Sequence, residues 1–211
     1  MAEIPGDGVE LRIERLSLEF GGLKALADVS LHVVRGELLA LIGPNGAGKT
    51  SVFNCISGLY RPSHGEIRFR GQSLLGERPH RIAQRGIART FQHGELFPHM
   101  TVLENLLVGR HARIATRPWA EGLFTRGVRD AEVEHRRAVE EILDFIELQR
   151  YRHTPVAALP FGIQKVVGFG RALALEPTLL LLDEPSAGLN RDEREDLARF
   201  ILRIKHRLGI A

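Results

Sequence analysis

The chain has 211 residues, one cysteine, and 29 basic against 26 acidic side chains, for a net charge of +3. That length suits one domain, or one domain carrying an inserted subdomain, with enough residues to bury a core. Near-balanced charge gives no strong electrostatic footprint for nucleic acid, a lone cysteine excludes an internal disulfide, and no apolar run approaches the length of a membrane span.

The opening MAEIPGDGVE has no secretory pattern, so the expected location is cytoplasmic or peripheral to a membrane. Glu10 to Phe20 and Val29 to Val34 alternate as half-buried strands do, with Gly21-Gly22 turning between them. Glu37 to Ile42 (ELLALI) is a short apolar run that predicts a buried parallel strand. It leads into GPNGAGKT, Gly43 to Thr50, which fits the pattern G-x-x-x-x-G-K-[ST]. Glycines there let successive backbone N–H groups turn inward around phosphate oxygens that a Cβ would obstruct. Lys49 is placed to reach β- and γ-phosphates and Thr50 to ligate Mg²⁺. The candidate ATP-contacting residues are Gly43, Pro44, Asn45, Gly46, Ala47, Gly48, Lys49, Thr50 and Ser51.

Ser51 to Ser57 carries a helix-like apolar spacing, so phosphates at the loop would also meet the positive end of a helix. Cys55 in that helix reads as a small buried core residue. Gly65 to Arg70 (GEIRFR) adds a strand, and with the first two predicts a small, largely antiparallel layer beside the nucleotide core. Ile87 to Phe91 predicts a further strand.

From about Pro98 to Leu148 the pattern is helical: Thr101 to His111, then Asp130 to Leu148, with Thr101 and Asp130 as N-caps. Val133, Ala138, Val139, Ile142, Leu143 and Ile146 make one apolar stripe. The arginine-rich stretch between them, Ala112 to Arg129, reads either as a solvated excursion or as a docking surface. A second apolar run, Leu179 to Leu182, ends in Asp183 and Glu184, at the strand edge where open α/β sheets bind ligands. Asp183 is the expected Mg²⁺ partner, directly or through water, and Glu184 the group that polarises an attacking water. Arg191 to Leu208 predicts a last charged helix with apolar Leu197, Phe200, Ile201 and Ile204. No internal repeat appears, and none of the nine histidines stands at convincing metal-ligand spacing.

In order, GPNGAGKT, LPFGIQK (Leu159 to Lys165) and LLLLDEPSAGLN (Leu179 to Asn190) give the chain a resemblance, over nearly all its length, to the nucleotide-binding subunit of an ATP-binding cassette (ABC) transporter. That resemblance implies an α/β fold: a P-loop NTPase (RecA-like) core with an antiparallel β layer and an inserted α-helical subdomain. Residues 1–92 and 176–211 would form the core and 93–175 the helical part. It further implies that Pro160, Phe161 and Gly162 stand at the signature position, which completes the ATP site of a second copy. The common signature is Leu-Ser-Gly-Gly-Gln; Pro160 here replaces the serine hydroxyl, and only Gly162 keeps the close backbone approach. Phe20 would stack on adenine. Gln92 would be the switch glutamine touching Mg²⁺ and water, so that Glu184, Gln92 and Lys49 form the catalytic set and Thr50, Gln92 and Asp183 the metal set. Ser186 to Asn190 would communicate between the two sites, with Asn190 where aspartate is usual.

The segments Thr90-Phe91-Gln92 and Leu96 to Leu106, with the arginine-rich excursion, are similar to those of branched-chain amino acid importer ATPases. The implied activity is ATP hydrolysis that powers import, on the cytoplasmic membrane face, with a second ATPase subunit, two permeases and, indirectly, a solute-binding protein as partners. Urea or amide importers and the lipopolysaccharide-export ATPase are alternatives, as is a soluble non-transport ABC ATPase. A P-loop kinase or GTPase would share Gly43 to Thr50, but no Asn-Lys-x-Asp guanine motif is present. The family's switch histidine is expected after a further strand, whereas this sequence stops at Leu208-Gly209-Ile210-Ala211 and His206 falls on the last helix. On that reading the chain is C-terminally shortened, and it is expected to bind Mg-ATP but hydrolyse it slowly.

Overall fold

Val9–Phe20 (β1) and Leu23–Val34 (β2) pair as an antiparallel hairpin in a computed structural model that describes residues 8–90, 96–113 and 126–211. Gly21 and Gly22 turn it with φ of 52° and 88°, a region where glycine has no steric penalty. The alternation of β1 changes parity part-way: Leu11 and Ile13 are buried, then Leu16 and Leu18. An extra residue must therefore be absorbed, and the pairing register shifts between Ile13 and Leu16. Arg15 takes that position with φ 48°, its N–H donating to Ser30 Oγ at 2.9 Å. Gly65 lies opposite, where a Cβ would come 2.4 Å from the Arg15 carbonyl oxygen.

His64–Phe69 (β3) and Gln72–Ser73 (β4) complete a four-stranded antiparallel sheet in the order β2-β1-β3-β4. Lys49–Ile56 (α1) buries Val52, Cys55 and Ile56 in the core that contains Leu11, Ile13, Ile67 and Phe69. Pro79–Gln84 (α2) was not anticipated from apolar spacing, although Pro79 at its first turn is a helix-start signal. Ile87–Thr90 (β5) and Leu179–Leu182 (β6) form a second, two-stranded sheet. Ala211 lies along β6: its carbonyl accepts from Leu180 N–H at 2.8 Å and its N–H donates to Thr178 O at 3.0 Å.

Glu37 to Ile42 corrects the sequence reading. No strand forms there, and Leu38, Leu39 and Ile42 are 50%, 40% and 94% exposed. A strand exists through the ladder it joins, and among the described residues no strand pairs with this segment, so apolar content alone does not make it one.

Arg191–Leu208 (α6) is closed at both ends. Asn190 Oδ1 accepts from Glu193 N–H and Glu193 Oε2 accepts from Asn190 N–H, both at 2.9 Å, a reciprocal capping box. Gly209, left-handed at φ 63°, ends the helix. Leu197, Phe200 and Ile204 form its buried stripe.

By contact the chain divides into two units: residues up to Arg89 with Thr178–Ser186 and Asn190–Ala211, and Thr90–Pro177 with Ala187–Leu189. The second unit is helical: Val102–Gly109 (α3), Arg126–Phe145 (α4) and Phe161–Leu173 (α5). Thr101 caps α3 as expected, in a capping box with Glu104. Buried Asn105 folds the preceding segment onto α3, accepting from Phe97 N–H at 2.8 Å and donating to the carbonyls of Phe97, Met100 and Thr101. Asp130 does not cap α4, which starts at Arg126 and contains it. An acidic residue suits a helix's first turns as well as its cap, so residue type did not fix the boundary. Val133 also departs from the predicted stripe, being 60% exposed; burial begins further along at Val139.

Two glycines set the approach of α5. A Cβ on Gly109 would lie 2.2 Å from the Arg171 carbonyl oxygen, and one on Gly170 would lie 2.7 Å from Ile146 Cδ1. Where α5 ends, Arg110 donates to Ala174 O at 3.3 Å and Glu176 Oε1 at 2.6 Å, and Arg113 to Leu175 O at 2.6 Å and Glu176 O at 3.0 Å. Cations at a helix C-terminus satisfy orphan carbonyls and complement its dipole. Arg110 also donates to His135 Nδ1 at 3.1 Å.

Partial burial pushes the Glu176 carboxyl up, but the hydrogen bond and charge of Arg110, with added charge from Arg113 and His135, hold it below its ordinary 4.5. A carboxyl lowered by folding contributes stability above its unfolded value and loses that contribution as pH falls through the folded one. Glu176→Gln is therefore expected to lower the unfolding free energy at neutral pH, with the gap to the unaltered chain narrowing as pH falls below 4.5. Urea denaturation across pH checks this; a gap independent of pH would refute it.

Candidate nucleotide site

Residues Gly43 to Gly48 form a loop that enters α1, where the Val52 N–H to Gly48 O bond (2.9 Å) closes the first turn. An Ala47 N–H to Pro44 O bond of 3.2 Å braces the loop. Gly46 and Gly48 have φ of 82° and 86°, and Gly48 is pressed close: a Cβ there would lie 2.6 Å from Leu26 Cδ2 and 2.7 Å from Ala25 O. Gly43 to Ala47 are exposed, leaving their backbone accessible to a ligand. Lys49 folds back over the loop, its Nζ donating to Gly43 O at 2.7 Å and Pro44 O at 2.9 Å. An ammonium so held is available to phosphate oxygens bound in front of the loop.

The structure brings Thr50 and Asp183 together: Thr50 Oγ1 donates to Asp183 Oδ1 at 3.4 Å. A hydroxyl and a carboxylate oxygen are the hard donors that Mg²⁺ takes, alongside phosphate oxygens and water. Among the described residues no group of three or more His, Cys, Asp and Glu could hold a metal, so a cation here would depend on its nucleotide for further ligands. Asp183 is buried, whereas neighbouring Glu184 is exposed and has φ 45°, a left-handed backbone uncommon outside glycine. One residue therefore faces the protein and the next faces solvent.

Asp183 is also engaged by a residue that the sequence did not single out. Arg89 Nη2 donates to Asp183 Oδ2 at 2.9 Å and Arg89 Nη1 to Asn54 Oδ1 at 2.7 Å, with the guanidinium 5.9 Å from the Phe53 ring centroid. No sequence spacing signals this trio, since its members stand on α1, β5 and the end of β6. Phe20, at the end of β1, is 47% exposed and meets Tyr60 edge to face with centroids 5.2 Å apart. Tyr60 was likewise missed; an aromatic beside the hairpin is visible only once α1 and its following turn are placed. Gln92 lies outside the described residues.

In the helical unit, Pro160 is the N-cap of α5 with φ −55°, one residue before the helix proper, and Gln164 N–H donates to its carbonyl at 3.0 Å. Phe161 is 55% exposed, and its ring lies against Gly188, where a Cβ would be 3.0 Å from Cε1. Lys165 sits 5.4 Å from the Phe161 centroid and also donates to Ala187 O, joining the start of α5 to residues 187–188. Burial pushes the Cys55 thiol up to about 11, as fits the small buried core residue expected there.

Residues 26–187 match a family model described as ABC transporter. The chain is 39% identical over 196 residues to the high-affinity branched-chain amino acid transport ATP-binding protein BraF of Pseudomonas aeruginosa, covering 92% of this chain and 76% of that one. It is 40% identical over 196 residues to LivG of Escherichia coli, described in the same words, covering 93% and 77%. Among solved structures, the ADP conformation of an ATP-binding cassette of an ABC transporter matches with a TM-score of 0.81 and 31% identity, covering 96% of this chain and 78% of that one.

The glycines of the loop make different demands. Gly46→Ala meets nothing within 4 Å, whereas Gly48→Ala collides with Leu26 and Ala25. Gly48→Ala is expected to be less stable than Gly46→Ala by about 1–3 kcal/mol and to bind a fluorescent ATP analogue more weakly. Urea denaturation and fluorescence titration check the pair, and equal behaviour would count against the close approach at Gly48.

Proposed function

Because the chain belongs to the ABC transporter family, we propose that it is the ATP-binding, ATP-hydrolysing subunit of an importer for branched-chain amino acids. The observation that carries the chemistry is the joining of Thr50 on α1 to Asp183 at the end of β6, beside a loop whose lysine is held over its mouth. Backbone N–H groups of Gly46 to Lys49 bind phosphate oxygens, and Lys49 neutralises charge at the β- and γ-phosphates. Thr50 and Asp183 hold Mg²⁺, which when bound neutralises phosphate charge. Glu184, turned to solvent, orients the attacking water and accepts its proton. Gln92 assists at the same water, and Phe20 supports the adenine ring.

The start of α5 presents the Pro160, Phe161 and Gly162 region to the γ-phosphate held by a second ATPase subunit. Proline brings no N–H and no hydroxyl there, so recognition rests on the amides that follow and on the helix dipole. Binding of ATP closes the two subunits, and hydrolysis reopens them, moving two membrane permeases. Among the described residues no helix is long and apolar enough to cross a membrane; the proposed seat of the subunit is on the permeases at the cytoplasmic face. Support for the cargo comes from relatives such as BraF and LivG, whose names specify branched-chain amino acid transport.

Glu184→Gln is expected to cut hydrolysis by on the order of 10²–10⁴-fold and to accumulate as an ATP-bound dimer, measured by phosphate release and by light scattering after gel filtration. A monomer in Mg-ATP would overturn the cassette mechanism. The pathway is tested by purifying the tagged protein from its own membranes. Two permeases, a second ATPase and a binding protein carrying an aliphatic amino acid are expected. Recovery with a different cargo would leave the ATPase chemistry intact and overturn the assigned substrate.

A further inference from the structure

The geometry points to Arg89 as a positioning residue for the divalent cation, one that sets where Asp183 and Thr50 stand without touching nucleotide or metal itself. This inference rests on the proposed function, in which Asp183 and Thr50 hold Mg²⁺. Thr50 and Asn54 are four residues apart on α1 and so lie on one face of it. Thr50 meets Asp183 Oδ1 at 3.4 Å; Asn54 accepts from Arg89 Nη1 at 2.7 Å; Arg89 Nη2 donates to Asp183 Oδ2 at 2.9 Å. The four side chains make a closed ring between α1 and the sheet strands. Both ion-pair partners are nearly dry, with side chains 6% and 5% exposed.

That ring has a chemical consequence. Asp183 has two carboxylate oxygens, and a planar guanidinium fixes one of them, so Oδ1 alone is turned toward the Thr50 hydroxyl. The second fork of Arg89 reaches the helix that carries Thr50, which fixes the spacing between the two metal donors. A lysine keeps the charge but, with a single ammonium, lacks the planar fork that spans Asn54 and Asp183. Groups that orient metal ligands commonly contribute 10–100-fold to metal affinity, which sets the scale expected here.

The test is a Mg²⁺ titration of fluorescent ATP-analogue binding to the purified full chain, with a parallel measurement in EDTA. For the unaltered chain, Mg²⁺ tightens binding; if it does not, the metal assignment to Asp183 and Thr50 fails, and this inference with it. Arg89→Gln is expected to raise the Mg²⁺ concentration for half-saturation about tenfold or more while leaving metal-free binding unchanged. Since a buried carboxylate without its counter-charge can prevent folding, Arg89→Lys and Asn54→Ala read the same shift in folded proteins, verified by their unfolding curves. Unchanged Mg²⁺ dependence in folded Arg89→Lys and Asn54→Ala overturns the inference. So does tighter Mg²⁺ binding in any of the three, which would make the guanidinium a competitor of the metal.

Discussion

An ionised carboxylate in a nearly dry site is tolerable only beside a counter-charge with its hydrogen bonds met. Asp183 and Arg89 satisfy that condition for each other, and the rest of the nucleotide-binding unit is arranged around them. Arg89 comes from β5 and Asp183 from the end of β6, so the pair reinforces the two-stranded sheet. Through Asn54 the same guanidinium holds α1, and α1 is the continuation of the phosphate loop. Removing one partner of such a pair typically costs about 3–5 kcal/mol, a large share of a domain's net stability. Binding geometry and fold stability are thus coupled at this point.

The helical unit solves a different problem. Its task under the proposed function is to present one helix start, and it is held by the close approach of the Arg171 backbone at Gly109, by Ile146 and Leu106 side chains packed on Gly170, and by guanidinium groups closing the far end of α5. Asn105 adds a buried polar anchor whose oxygen and nitrogen both find backbone partners, so the segment from Phe97 to Thr101 is fixed without any regular structure of its own. Pro160 at the N-cap fits this frame, since a missing N–H at a helix start leaves nothing unpaired.

Local rules carried much of this in the sequence. Alternation gave β1 and β3, the glycine pattern gave the loop into α1, and the apolar run before Asp183 gave β6, because each is dictated by neighbours in sequence. What eluded the sequence was set by distant partners. ELLALI has a strand's composition, but pairing is a property of two segments, and no described strand lies against it. Asp130 has a cap's chemistry, yet α4 starts a turn earlier. Arg89, far in sequence from Asn54 and Asp183, had no pattern to announce it. Its role appears only when a strand, a helix and a second strand edge are brought to one place.

Cys55 gives the chain one practical property. It is the sole thiol in the sequence, it is buried on the inner face of α1, and burial holds it protonated at neutral pH. Burial and the raised thiol pKa both disfavour reaction with thiol-specific reagents, because the thiolate is the reactive form. A single cysteine introduced on the surface, at the loop or at the start of α5, would carry a fluorophore or spin label against almost no background. Distances across an ATP cycle then become measurable without first rebuilding the core.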